Sequence, residues 1–324
     1  MHLDPPAPIG SPRRLRYGCD SIRGKRARQP VDVPIGPSRF ILSAASYRDR
    51  RRNGWGGPTG RSAPFRAITQ RTSLASHRRV RRVSDETIVA GARAVRRSRG
   101  RARAALVLRG QGSVVDGLVF RGYRVSDGNG AGIRTEMGDL TVTNAMFLDS
   151  QEGILGGEPT AQKITIDHST FAGLGQCDES PGCAHAIYLA NKGSVTITNS
   201  RFERGTGGHY VKLRVPTVSI TDNSFDDTAG RRTNYMINLP EGATGLIARN
   251  TFVQGRNKEN HTGLIVAAAE AKTYRSTGLR VEGNDAQLST GDSSSPAFLA
   301  DYSHDKLALG ANRLGAGLRP FETR

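Results

Sequence analysis

The chain has 324 residues and a formal net charge of +18, enough chain for one large core or two compact domains. No apolar run reaches transmembrane length, which excludes a helical membrane span, and the segment after Met1 lacks the apolar stretch of a signal peptide. The charge is lopsided: residues 1–109 hold 26 Lys and Arg against 6 Asp and Glu, while residues 110–324 hold 21 against 23. We therefore read a basic, low-order region over 1–109 and a separate domain over 110–324.

Stretches of the first region such as RDRRRNGWGGPTGR and SHRRVRRVSDETIVAGARAVRRSRGRAR show no strand alternation. Three readings compete: an arm that binds nucleic acid or another polyanion, a disordered leader, and non-native translation from a wrong start or a shifted frame in a GC-rich gene. Only Trp55 and Phe65 interleave with the central cations. That sparsity sets nucleic acid last among the partners and favours the mistranslation reading. Residues 87–97 are expected to form a short helix.

From residue 112 onward one pattern recurs. An apolar residue precedes a Phe, or its substitute, by five places: Val115 and Phe120, Val142 and Phe147, Ile166 and Phe171, Ile197 and Phe202, Ile220 and Phe225, Ile247 and Phe252, Val281 and Ala286, Leu309 and Leu314. A second apolar column lies two places before the first, at Leu140, Ile164, Val195, Val218, Leu279 and Leu307. Spacing of two is strand spacing, with both side chains on one face. Asn144, His168, Asn199, Asn223, Asn250, Asn284 and Asn312 mark a bend before each aromatic position, and Asn suits a tight turn. The copies recur every 23 to 34 residues, with no 3.6-residue pattern inside them. That is too short for a four-stranded propeller blade, and a β-sandwich has no reason to keep three columns in step. The fold class is all-β, a parallel β-helix solenoid preceded by an irregular Arg-rich third.

Residues 112–315 resemble the right-handed parallel β-helix superfamily typified by pectate lyases. CAHAIYLANKGSVTITNSRF, GTGGHYVKLR, NYMINLPEG and GRNKENHTGLIV are similar to a bacterial group of secreted β-helix repeat proteins. The resemblance implies a secreted or periplasmic location. SRFILSAASYRD, residues 38–49, resembles an opening β-helix coil.

The strongest chemical pattern is Gly207-Gly208-His209-Tyr210-Val211-Lys212-Leu213-Arg214. Alternation sends Val211, Leu213 and Val215 inward, and Tyr210, Lys212 and Arg214 outward. Lys212 and Arg214 then stand about 6.6 Å apart on one face. Tyr188 of the preceding coil is expected beside Lys212, whereas His209 has inward parity. Arg201, Arg231, Arg232, Tyr210 and Asn238 are candidate substrate contacts. Clustered cations on a flat sheet suit an acidic polysaccharide. The matching reaction is β-elimination at a uronate, with the carboxylate neutralised, a base at its α-carbon and an acid at the leaving oxygen.

VKLRVPTVSITDNSF also resembles the Lys strand of alginate-lyase-like and chondroitinase-B-like enzymes. The resemblance implies Lys212 as base and calcium at the substrate carboxylate. No residue set is assigned to a metal. Those enzymes place an Arg-His pair on the next coil, where this chain has Met236-Ile237-Asn238-Leu239, so the acid has no counterpart; Tyr210, Tyr188 and His209 are the substitutes. Two readings stay open: a uronate lyase using Lys212, Arg214 and Tyr188, and a non-catalytic glycan-binding or structural module in which the Lys and Arg stems cover apolar neighbours. The protein is read as a monomer. Cys177 and Cys183 bracket CDESPGC, a spacing that suits a loop disulfide in an exported protein and offers too few ligands for zinc. Asp178 and Glu179 in that loop are weak calcium candidates, and Asp226-Asp227 reads as a solvated turn.

Overall fold

The computed structural model describes residues 104–324, apart from 157–159 and 180–181, together with the backbone of two upstream strands, Arg82–Val83 and Glu86–Arg96. The readings placed on the rest of the Arg-rich region lie outside the described residues. The strand Glu86–Arg96 replaces the short helix expected over 87–97. It runs parallel to Gly112–Arg121, with Val89 opposite Val115 and Val95 opposite Phe120. The run Thr87-Ile88-Val89 has strand propensity, and pairing with the next coil decides the outcome.

The rest is a parallel β-solenoid. Each coil contributes one strand to each of three ladders. The first holds the Val/Ile column and the second the Phe column, both belonging to one 17-stranded sheet; the third forms a nine-stranded sheet. Val142, Ile166, Ile197, Ile220, Ile247 and Val281 stand in register through successive coils, all fully buried. The bends between the first two ladders use the left-handed region at Asn144, His168 and Asn199. Further on, Asn takes a buried role: Asn250 Oδ1 accepts from the backbone N–H of Asn223 at 3.0 Å, and Asn284 Oδ1 from that of Asn250 at 3.0 Å. The ladder satisfies backbone donors that a corner removes from sheet pairing.

The phenylalanines form a continuous stack. Phe120, Phe147, Phe171, Phe202, Phe225 and Phe252 follow one another at 4.7–4.9 Å with nearly parallel rings, the spacing of neighbouring strands. At the next coil Ala286 leaves the column narrow, and Phe298 from the nine-stranded sheet turns its ring edge-on to Phe252 at 5.7 Å. Leu309 does not join the core: it is 40% exposed, because its strand pairs with Val281 on one side only. Among the described residues no helix is long and apolar enough to cross a membrane.

Candidate functional site

The nine-stranded sheet carries the candidate site on its outer face. Val211–Arg214 lies between Ile187–Ala190 and Ile237–Leu239, and Tyr188, Lys212 and Asn238 align across the three strands. Val211 and Leu213 are fully buried, so Lys212 and Arg214 project outward as alternation requires.

Alternation fails one residue earlier. At the corner entering each strand, consecutive residues bond to the next coil: Ala186 donates to His209 O and Ile187 to Tyr210 O. Tyr210 therefore turns into the core. It is 2% exposed, packs edge-on against Phe202, donates its hydroxyl to Asp227 at 2.7 Å and accepts from the Gly205 N–H at 3.0 Å. This corrects its assignment as a substrate contact. It also removes Tyr210 as the acid, because burial and Asp227 push its phenol well above the ordinary range.

His209 is buried, as its inward parity led us to expect, and the same corner sets it against Asn238. Gly208 makes the approach possible: a Cβ there would lie 2.1 Å from Ala184 O and 2.6 Å from His185 Nδ1. The His209 N–H consequently donates to His185 Nδ1 at 3.0 Å, and the Tyr235 N–H to His209 Nδ1 at 3.1 Å. Both imidazoles are buried and stacked at 4.9 Å. Burial holds both well below the usual His value, with Lys212 and Arg214 adding to the effect at His185, and His185 and Lys212 at His209. With Nδ1 accepting, Nε2 carries the proton. The Asn238 amide nitrogen lies 3.1 Å from His209 Nε2 and the amide oxygen has no partner, so with Nε2 protonated the two ends of the amide exchange places and the oxygen accepts. Asn238 is 2% exposed and thus faces His209 rather than solvent.

Glu152 begins this row on an earlier coil. It is completely buried, and its carboxyl accepts from the His185 backbone N–H. Burial pushes it up to about 8, with Arg134 partly opposing.

Above the row sits a charged cluster. Lys212 Nζ is 2.9 Å from Glu270 Oε1, and an Arg214 guanidinium nitrogen bonds the other carboxylate oxygen. Arg214 also donates to Glu241 at 2.7 Å and to the Tyr188 hydroxyl at 3.1 Å. Lys212 lies 5.6 Å from the centre of the Tyr188 ring, while His185 meets that ring edge-on at 5.5 Å. Burial raises the Glu270 carboxyl, and the two cations outweigh it, holding Glu270 below its ordinary value. The Lys212 and Arg214 side chains are only 12% and 16% exposed, so they lie under Glu270 instead of standing free in solvent. Sequence reasoning missed Glu270, which arrives from the segment between two coils and belongs to no column.

The other candidates lie apart. Arg201 sits in the Phe ladder with Glu203 at 2.6 Å. Arg231 and Arg232 occupy the turn before Thr233, where Arg232 pairs with Asp178. Asp227 is fully buried, which corrects the solvated turn expected of it; it pairs with Lys258 at 3.1 Å and accepts from Thr233 at 2.9 Å. Cys177 and Cys183 form a disulfide, and Asp178 and Glu179 of that loop face Arg232 and Arg124. Those carboxylates are engaged by guanidinium groups, a poor arrangement for calcium. Among the described residues, the grouped ligand atoms of Cys177, Cys183 and Glu259 include two sulfurs already joined to each other.

A family model for the right-handed beta helix region matches residues 104–286. The chain belongs to that family, and the coils are those of a right-handed parallel β-helix. No curated protein and no solved structure matches the chain.

Proposed function

We propose that the face around Tyr188, Lys212 and Arg214 binds an acidic polysaccharide through its uronate carboxylates. Glu270 carries this reading. One carboxylate bridges Lys212 and Arg214, an oxygen to each, and a uronate presents the same group. Glu270 is 42% exposed and lies two residues after Ala268, whose backbone is left-handed; an exposed side chain of this kind is readily exchanged for a ligand carboxylate. Tyr188 offers an apolar ring within 5.6 Å of Lys212 and 6.0 Å of Arg214. The Cys177–Cys183 disulfide supports an oxidising, extracytoplasmic location.

A second reading, uronate lyase, is favoured by the Tyr188 hydroxyl. It accepts from Arg214 and stands on the strand next to Lys212, which sets a hydroxyl acid beside the base. In the elimination, Lys212 takes the C5 proton once Glu270 is displaced, and the C4–C5 double bond forms. The C4–O bond breaks, and the departing oxygen takes the proton of Tyr188. Arg214 neutralises the carboxylate.

The test combines binding and turnover on alginate, polygalacturonate, glycosaminoglycans and bacterial exopolysaccharides. Tighter binding of one of these by Glu270→Gln, with loss on Lys212→Ala, supports the site. Rising ultraviolet absorbance abolished by Lys212→Ala supports the lyase. Binding indifferent to both substitutions refutes the assignment.

A further inference from the structure

A groove of about 360 Å³ runs along the turns that enter the nine-stranded sheet, apart from the Lys212 face. Arg124, Arg204 and Arg231 line it, each from a different coil, with Asp149, Gly173 and Thr206 between them. The Phe positions of those coils number Phe120, Phe202 and Phe225. Arg124 and Arg231 are therefore four coils apart, roughly 19 Å at the strand spacing.

Arg204 is the unusual member. It is left-handed, with φ 53°, at the column where earlier coils place Gly122, Asp149 and Gly173. Gly and Asp tolerate that conformation, whereas a long side chain there is uncommon. Its own ion pairs are loose, 3.5 Å to Glu203 and 3.9 Å to Asp149. Asp149 is closer to Arg121, at 2.7 Å. Arg124 pairs with Glu179, and Arg231 has no ion pair among the described residues. The floor is kept open by Gly173, where a Cβ would meet Asp149 Oδ1 at 2.5 Å.

We infer that this groove is a second anion site, built for a linear glycan bearing carboxylate or sulfate groups along its length. Three guanidinium groups spread over five coils along the axis match a repeated anion better than a single small one. Guanidinium forks suit oxyanions of either kind. No aromatic side chain lines the groove, which disfavours single-stranded nucleic acid, whose binding sites use stacking platforms.

The test is arginine-selective chemical modification of the full chain, read residue by residue by mass spectrometry. Polygalacturonate, dextran sulfate, neutral dextran and oligo-dT serve as probes. Site-resolved readout separates the groove from the basic N-terminal region, and Arg214 reports on the other face in the same digest. Several-fold slower modification of Arg124, Arg204 and Arg231 is expected with one or both charged glycans and not with neutral dextran, while Arg280 and Arg313 are unprotected. Polygalacturonate against dextran sulfate distinguishes carboxylate from sulfate. Arg204→Gly is expected to lose the protection of Arg231 while leaving the melting temperature unchanged or higher, since Gly suits the left-handed backbone. Absence of protection, equal protection of Arg280 and Arg313, stronger protection by oligo-dT, or a lowered melting temperature in Arg204→Gly with protection retained would each overturn the inference.

Discussion

Replacing Glu152 with Gln should remove a pH dependence from the stability of the β-helix. The carboxyl sits at about 8 in the folded chain against 4.5 for the free side chain, because it is completely buried. Between these values the unfolded chain has released its proton and the folded chain has kept it. Stability is therefore full below about pH 4.5, falls by roughly 1.4 kcal/mol per pH unit above it, and levels once pH passes about 8. The total is on the order of 4–5 kcal/mol, a large fraction of the stability of a typical domain. Glu152→Gln keeps an oxygen for the His185 N–H and has nothing to ionise. Urea unfolding of both proteins across roughly pH 4.5 to 9 should give curves that converge at the acid end and diverge with rising pH, the variant being the more stable. Taking the difference between the two cancels every other titrating group. Parallel curves would mean that Glu152 reaches solvent or a cation, and the reasoning from burial would be wrong.

Asp227→Asn should cost on the order of 3–5 kcal/mol by leaving the Lys258 ammonium buried without its counter-charge, both side chains being 0% exposed; a loss below about 1 kcal/mol in thermal unfolding would show that Lys258 finds water. Phe202→Ala, in the middle of the aromatic stack, should cost about 3–5 kcal/mol, while the stack's ends tolerate truncation better. Asn250→Ala should cost about 2–4 kcal/mol by stranding the Asn223 N–H and the Ile220 carbonyl, and amide exchange at Asn223 should accelerate accordingly. An unchanged Asn223 exchange rate would place the donor in another bond.

The repeat was legible because a solenoid imposes the same demand on every coil. Phe171 and Phe202 differ by 31 residues in number and by one strand in space, so a column in the sequence is a stack in the structure. The same logic placed Tyr188 beside Lys212 correctly. It failed at Tyr210, because period-two alternation belongs to paired strand and the residue before Val211 lies in a corner with its own bonding. It failed at Asp227, where a doublet that looks solvated is sealed by Tyr210, Thr233 and Lys258. Glu270 was beyond reach for a different reason: its position depends on how one inter-coil segment folds back, its N–H bonding Pro240 O, and no periodicity carries that information.

The corners themselves show where the repeat departs from pure architecture. Along the Asn row each side chain accepts the backbone N–H of its neighbour: Ser200 gives to Asn223, Asn223 to Asn250, Asn250 to Asn284. At the corner entering the nine-stranded sheet the same device recurs with different chemistry, His185 giving its N–H to Glu152, His209 to His185, and Tyr235 to His209. An amide would serve that corner as well as it serves the Asn row, and without any titration. Three ionisable groups in succession, held in their neutral forms by burial, depart from that local rule at the coils that present Tyr188, Lys212 and Arg214. Departures from local consistency concentrate at functional sites. The coincidence adds a second physical reason, beside the Glu270 bridge, for placing the ligand on this face.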